Sequence, residues 1–168
     1  MTLQTSGPIS LDDIQTEFGG TNPISLNEYY AAAAGIPASG AISLQDFYGA
    51  TAAHTLVCGV SGGTTYGFNS SLSIGSISPT TYSGATISQV AQSEIPTKGG
   101  TVYNFNISMS GNRATSFFAS VTFPTYGALL TSASSSSYNS GSNTTTWTWS
   151  NTHVTEVVNG ATLPIVFA

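Results

Sequence analysis

Apolar and polar residues follow two different periods along this chain, and the change comes near residue 54. Before it, apolar residues recur at helical spacing in short clusters that open on Ile-Ser-Leu and close on glycine. After it, apolar residues alternate with Ser, Thr and Asn, which is the period of a half-buried β-strand. The pattern predicts a helical segment over residues 1–51 and a β domain over residues 54–168.

The first fifty residues repeat one helix-start signal three times, at residues 9–11, 24–26 and 42–44. An acid follows each serine by three residues: Asp13, Glu28 and Asp46. This is the spacing of a capping box, in which serine accepts from a first-turn amide and the carboxylate accepts from the cap amide. An apolar residue follows each serine by four: Ile14, Tyr29 and Phe47. With the isoleucine before each serine, these residues have the spacing of hydrophobic staples. Three capped helices are therefore predicted.

Glycines predict where the three helices end, because Gly19-Gly20, Gly35 and Gly49 occupy C-cap positions. Between the second start and its stop, Ala31–Ala34 favours helix. Helices of about two turns are shorter than the ~12–15 residues at which isolated helices become marginal in water. They need a surface to lie on, which is either the downstream domain or another protein.

We favour docking on another protein over a helical cap that completes the core of the β domain. The candidate docking residues are the serines and the apolar residues of the three repeats: Ile9, Ser10, Leu11, Ile14, Phe18, Ile24, Ser25, Leu26, Tyr29, Tyr30, Ile42, Ser43, Leu44, Phe47 and Tyr48.

The remainder of the chain predicts roughly seven short strands, typical of an antiparallel β-sandwich of Ig-like or jelly-roll-like type. The strand candidates are Thr55–Val60, Ser71–Ile77, Ala85–Ala91, Thr101–Ile107, Phe117–Phe123, Thr144–Trp149 and Leu163–Phe167. Asn159-Gly160 predicts a type I′ hairpin between Val157-Val158 and Leu163. The serine-rich run over residues 132–143 predicts an exposed, mobile loop.

Charge is scarce, at 5% of the 168 residues against roughly 25% in typical domains. Lys98 and Arg113 are the only bases, and the net charge is −5. Two cations cannot neutralise a run of phosphates, so we expect neither nucleic-acid binding nor electrostatic attachment to a membrane. A surface so poor in charge resists self-association weakly, which suits a component of an assembly.

Candidate catalysts are equally scarce, and we expect no enzyme, no cofactor and no metal. His54 and His153 are far apart in sequence, and no acid adjoins His54. Cys58 lies in an alternating apolar strand, which favours a buried, inert thiol. Glu94 and Glu156, the acids outside the helical segment, do not by themselves make a glycosidase pair.

Two further features concern glycans and targeting. Trp147 and Trp149 share one face of a strand, which favours core positions over a sugar-stacking platform. The first residues, MTLQTSGP, lack a basic start and an apolar run, so we expect no signal peptide. One cysteine allows no internal disulfide. We therefore expect a protein that is synthesised in a cytoplasm and does not use the secretion pathway.

The strings SGPISLDDIQTEFGGTNPISLNEYY and ASGAISLQDFYGAT resemble an N-terminal module of virion structural proteins of tailed bacteriophages, notably marine and cyanobacterial phages. The resemblance covers about residues 6 to 51. It implies a non-enzymatic, tail-associated component such as an adaptor, a baseplate subunit or a short tail fibre. It also implies docking to other virion proteins in a symmetric homo-oligomer, and it supplies no catalytic residues. The alternatives are a capsid decoration or cement protein, and a receptor module that binds host surface polysaccharide.

Overall fold

The structure, a computed structural model, describes residues 3–30, 32–33, 36–37, 39–50 and 52–168. The chain divides into two compact units. One is Met1–Ala53 together with Ala168, and the other is His54–Phe167. The predicted Gly35 stop and the positions Ala31 and Ala34 lie outside the described residues.

The N-terminal unit contains one α-helix and two single helical turns. Helix α1 spans Leu11–Phe18, and 3-10 helices span Leu26–Tyr29 and Leu44–Phe47. The predicted length of about two turns thus applies to the first repeat alone. The later repeats stop after one turn because the chain becomes extended at Tyr30 and Tyr48. These two tyrosines donate hydrogen bonds to the carbonyl oxygens of Gly40 and Gly7, respectively.

The second unit is built from antiparallel strands. They are β1 His54–Val57, β2 Gly59–Ser61, β3 Thr65–Asn69, β4 Ser76–Ser78, β5 Thr81–Tyr82, β6 Ala85–Thr97, β7 Gly100–Ser110, β8 Ser120–Phe123, β9 Gly127–Leu130, β10 Ser135–Asn139, β11 Thr144–Ser150 and β12 Thr162–Phe167. One sheet has the order β4-β1-β12-β8-β9. The other has the order β10-β11-β7-β6-β3-β2, and β5 also pairs with β6. The chain is therefore mainly β with antiparallel sheets.

One apolar core receives side chains from both sheets, as the alternation along the strands predicts. Phe105 and Ile107 of β7 and Trp147 of β11 join Val121 of β8 and Phe167 of β12 in this core. Alternate residues of β7 form its inward face, since Phe105 and Ile107 have no exposed surface and Tyr103 is half-buried.

A β-bulge sets the register of the long strand β6. Ile87 pairs with Met109 and Gln89 pairs with Ser108, so Ser88 is the extra residue. Before the bulge the buried positions are Ala85 and Ile87, and after it Val90, Ala91 and Gln92 are all buried. One inserted residue exchanges the two faces of a strand. The bulge therefore explains why the core residues of β6 change from the odd positions 85 and 87 to the even position 90.

Several predicted strand bounds are wrong. The candidate Thr55–Val60 is two strands, β1 and β2, which belong to different sheets. The candidate Ser71–Ile77 begins inside a 3-10 helix, Ser70–Leu72, and β4 starts only at Ser76. Residues 115–117 are also 3-10 helical, and β8 begins only at Ser120. In each case alternation continues through residues that local turns remove from the strand.

The serine-rich run is not the predicted loop, because its residues 135–139 form β10. This strand pairs with β11 in a register that places Ser137 opposite Thr146. All five residues of β10 are exposed. An edge strand without a buried face has no hydrophobic alternation, so the sequence pattern could not reveal it.

Asn159-Gly160 does not form the predicted hairpin. Gly160 has φ +83°, whereas Asn159 is not among the positive-φ residues, and a type I′ turn needs positive φ at both central positions. The amide of Ala161 donates to Val158 O over 3.1 Å, which closes a turn. Gly160 N donates to Cys58 O over 2.8 Å, so this turn is held by the residue after β1.

Candidate functional site

All three predicted capping boxes are present in the N-terminal unit. The amide of Ser10 donates to Asp13 Oδ2 over 2.8 Å, and the amide of Asp13 donates to Ser10 Oγ over 3.2 Å. The amide of Ser25 donates to Glu28 Oε1 over 3.2 Å. The amide of Ser43 donates to Asp46 Oδ2 over 2.7 Å. In each repeat the carboxylate therefore accepts from the amide of its own cap serine, a donor that the turn itself leaves unpaired.

The first box also changes the acidity of its carboxyl group. The Ser10 hydroxyl donates to Asp13 Oδ2 over 2.7 Å, in addition to the bond from the Ser10 amide. These two hydrogen bonds, the hydroxyl contact first, lower the pKa of Asp13 below its ordinary value of 3.8. Hydrogen bonds to the ionised form stabilise that form, so the box is tightest when Asp13 is charged.

The three repeats direct their staple residues into one small core. Ile14 and Phe47 have no exposed surface, and Tyr29 is 4% exposed. The rings of Phe18, Tyr29 and Phe47 are neighbours of one another, with centroids 5.9–6.0 Å apart. The short helices therefore lie on each other, a solution that neither predicted alternative included.

Hydrogen bonds close this unit between its two ends. Leu3 N donates to Ala50 O over 3.0 Å, and Gly49 N donates to Gln4 O over 3.0 Å. A carboxylate oxygen of Glu17 accepts from Ala52 N over 3.0 Å. The hydroxyl of Tyr48 donates to Gly7 O over 2.6 Å. Residues 3–4 and 49–50 are thus joined by backbone hydrogen bonds, which no hydrophobic pattern in the sequence signals.

The candidate docking residues divide into an inner and an outer set. Ile14, Tyr29 and Phe47 are buried in the unit's own core, so their side chains have no surface to offer a partner. Leu44 and Tyr48 are each 37% exposed. The remaining apolar candidates are half-buried: Ile9, Leu11, Phe18, Ile24, Leu26, Tyr30 and Ile42. The exposed serines, Ser10, Ser25 and Ser43, hold the capping boxes. A docking surface would therefore consist of the outer set.

The histidines and the cysteine are held in separate structural contacts. His54 is buried, and its Nε2 lies 3.0 Å from Thr81 O. His153 stacks on the ring of Tyr103 with a centroid distance of 3.8 Å. Cys58 is 2% exposed, and burial raises the pKa of its thiol to about 11. A thiol that stays protonated at neutral pH is a poor nucleophile.

Glu156, one of the two acids of the second unit, also has a structural contact. The carboxylate of Glu156 accepts from Thr125 N over 3.1 Å and from Tyr126 N over 2.9 Å, so it holds the turn between β8 and β9. Within the part of the chain that the structure describes, no three His, Cys, Asp or Glu residues lie close enough to hold a metal ion.

Trp147 and Trp149 lie in the core of the second unit. Trp147 has no exposed surface and Trp149 is 2% exposed. Their indole N–H groups donate to Thr115 O over 3.0 Å and to Leu130 O over 2.8 Å. Neither ring presents a free face on which a sugar could stack, in agreement with the core position that their spacing favours.

β10, the exposed strand at the edge of the larger sheet, contains none of the predicted site residues. A run of serine, tyrosine and asparagine carries no periodic signal, and only the β propensity of Tyr138 hints at a strand.

No helix within the described ranges is long and apolar enough to cross a bilayer. Comparison of the chain with known protein families, with curated protein sequences and with solved structures finds no match.

Proposed function

We propose that this protein is a non-enzymatic structural component of a tailed-bacteriophage particle, attached to the tail through its N-terminal unit. The observation that carries the proposal is the ordered triple Ile-Ser-Leu motif, which resembles a module of phage virion proteins. In this chain each copy ends in a capping box and sends one apolar side chain to a shared core. The motif therefore encodes both the helix starts and the core residues of a small folded module. An attachment unit that occurs on different proteins needs to fold from its own sequence in this way.

The second unit would be the outward part of the component. Two antiparallel sheets share one apolar core, which supports a β-sandwich of Ig-like or jelly-roll-like type. The scarcity of charge and the separate, structural contacts of His54, His153, Cys58 and Glu156 support a structural role over a catalytic one.

Attachment would use the outer apolar residues of the N-terminal unit, of which Leu44 is the best probe. Its side chain is 37% exposed, and it lies on the same 3-10 turn as the buried Phe47. A glutamate at this position adds a charge to the proposed contact without removing a core residue. Desolvating that charge at an interface is costly, so docking should weaken.

The test measures incorporation of the full chain into phage particles. Deletion of residues 1–51 and the variant Leu44→Glu should each abolish incorporation. The matched control is Gln45→Glu, which adds the same charge at an exposed, polar neighbour and should leave incorporation intact. Normal incorporation of the deletion form would refute docking through this unit.

Localisation tests the position on the particle. Immunogold labelling with an antibody against residues 54–168 should place gold on the tail. Gold over the whole head would instead identify a capsid decoration protein, and hundreds of copies per particle would agree with that outcome. Absence of label from both intact and opened particles would refute the virion assignment.

A further inference from the structure

The larger sheet ends at β10, an edge strand that has no charged residue, no proline and no bulge, and whose Ser136 Oγ lies 2.6 Å from Thr115 Oγ1. All of its residues, Ser135 to Asn139, are exposed, and none is charged or proline. Its pairing with β11 runs through five consecutive residues without a bulge. In an antiparallel ladder, alternate residues point their N–H and C=O groups away from the neighbouring strand. Free edges of this kind accept another strand unless charge, proline, a bulge or a covering segment prevents it.

The other terminal strands of the two sheets, β4, β9 and β2, are shorter than β10. β4 has three residues and is followed by Pro79, and β5 has two residues. β2 also has three, and the backbone of Gly75 lies against it, since a Cβ on Gly59 would be 2.6 Å from Gly75 N. The last carbonyl of β9, that of Leu130, accepts from the indole of Trp149.

The tip of the β6–β7 hairpin carries a proline and a lysine, Pro96 and Lys98. Proline and lysine at an edge strand are common in natural sheets, where they prevent pairing with a strand of another chain. Among the terminal strands of the two sheets as described, β10 is the longest, and its residues include no charge and no proline.

We propose that β10 pairs antiparallel with β10 of a second copy of this chain, about a two-fold axis at Ser137. Pairing in this register sets Ser137 opposite itself, Ser135 opposite Asn139 and Ser136 opposite Tyr138. No charged residue faces its own copy, and a small serine faces the tyrosine, which is 42% exposed. An isologous contact needs such self-complementarity, because every residue meets its own surface again.

Charge distribution favours a second copy over an unrelated partner. Residues 54–167 contain two acids, Glu94 and Glu156, and two bases, Lys98 and Arg113, so their formal charges cancel. Two copies of this unit therefore meet without net repulsion, a condition that promotes association. A foreign strand would need a charge or an apolar anchor for selectivity, and β10 offers a single tyrosine.

The polar face of the larger sheet continues into the proposed pair. The Ser108 hydroxyl lies 2.8 Å from Thr146 Oγ1 and donates to Gln89 Oε1 over 3.1 Å. The register places Ser137 next to Thr146 in the same row. A second Ser137 across the axis extends this row of hydroxyls from one copy into the other, and cross-strand hydroxyl pairs of this kind stabilise sheets.

The pair should be weak in dilute solution. A five-residue strand is about 17 Å long, and its pairing alone buries less than the roughly 1,200 Å² at the low end of stable interfaces. Copies held side by side have a high effective concentration, at which a weak contact becomes populated. The inference concerns the free chain, so it can fail while attachment to a particle stands, and the reverse also holds.

The experiment is sedimentation velocity on the full chain over a concentration series. The mean mass should rise from 17.2 kDa toward the dimer value. Ser137→Lys and Ser137→Glu should each weaken dimerisation by about fivefold, because like charges then face each other across the axis. An equimolar mixture of the two variants should restore association, since lysine then faces glutamate. The control Ser71→Lys adds a charge at an exposed site away from β10 and should behave as wild type.

Three results would overturn the proposal: a monomer at every concentration, variants that associate as the wild type does, or a mixture of variants that remains monomeric. The fluorescence of the buried Trp147 and Trp149, measured on each variant, serves as the control that its second unit is folded.

Discussion

Phe47 shows how much of the N-terminal unit depends on one side chain. It is fully buried, and its ring contacts those of Phe18 and Tyr29. Replacing a buried phenylalanine by alanine typically costs about 3–5 kcal/mol, through lost burial and the cavity that remains. Small units bury too little surface to absorb such a loss. We therefore expect Phe47→Ala to unfold residues 3–50.

Amide dispersion in two-dimensional NMR spectra measures this effect. The matched control is Leu44→Ala on the same 3-10 turn, where 37% of the side chain is already exposed and the spectrum should keep its dispersion. A Phe47→Ala protein with a wild-type spectrum would show that this core does not hold the unit together.

Gln92 plays a comparable part in the second unit through a hydrogen bond. Its side chain is 1% exposed, and Oε1 accepts from Val154 N over 2.7 Å. Gln92→Leu fills similar space but leaves a buried amide without its acceptor, which costs about 1–3 kcal/mol. The melting temperature followed by tryptophan fluorescence should fall. Gln89→Leu, at a half-buried position on the other face of β6, should lower it less; equal effects would contradict this role.

At the scale of elements, the start of α1 should respond to acid. The pKa of Asp13 is lowered by its bonds from Ser10, so the fold favours the ionised carboxyl group. The stabilisation of the fold by ionised Asp13 is complete at pH values above its ordinary pKa of 3.8. This stabilisation is lost as the pH falls through the lower pKa that Asp13 has in the folded state. The Ser10 amide resonance should therefore shift as pH is lowered below about 4.

Asp13→Asn should abolish this acid-dependent shift, because the amide that replaces the carboxyl group does not titrate. Asp12→Asn, one residue earlier in the same first turn, should preserve it. A shift that survives Asp13→Asn would assign the titration to another group.

Elements with a local signal could be predicted from the sequence, and elements set by tertiary contacts could not. Ser10, Ser25 and Ser43 lie at capping boxes because cap and acid are only three residues apart. The strict alternation of β7 and β11 gave their buried faces correctly. By contrast, the extra residue Ser88 and the edge strand β10 depend on partners distant in sequence.

The candidate docking site divides in the same way. The motif predicts which residues form the three repeats, but their inner or outer position follows from how the repeats pack on one another. Ile14, Tyr29 and Phe47 meet in one core, whereas Leu44 remains exposed, although all four are apolar residues of the same short pattern. The spacing of apolar residues within one repeat does not show which surfaces the other two repeats cover. It therefore could not separate the buried residues from the exposed ones.

At the scale of the whole molecule, the last strand determines when the second unit can fold. β12 lies inside the five-stranded sheet, between β1 and β8. His54, the first residue of β1, pairs with Ile165 near the end of the chain. Ile165 and Phe167 are fully buried. Contacts between residues so far apart in sequence slow folding, because a long loop must close before they contribute.

Two truncations should therefore have opposite effects. Removal of residues 162–168 exposes the inner edges of β1 and β8 and deletes two core side chains, so the second unit should not fold. Removal of residues 1–53 leaves every strand of both sheets in place, so residues 54–168 should fold alone. Near-ultraviolet circular dichroism of the buried Trp147 and Trp149 distinguishes the two outcomes. A native spectrum from the chain that lacks β12 would mean that the smaller sheet forms without its central strand, which would contradict the strand order β4-β1-β12-β8-β9.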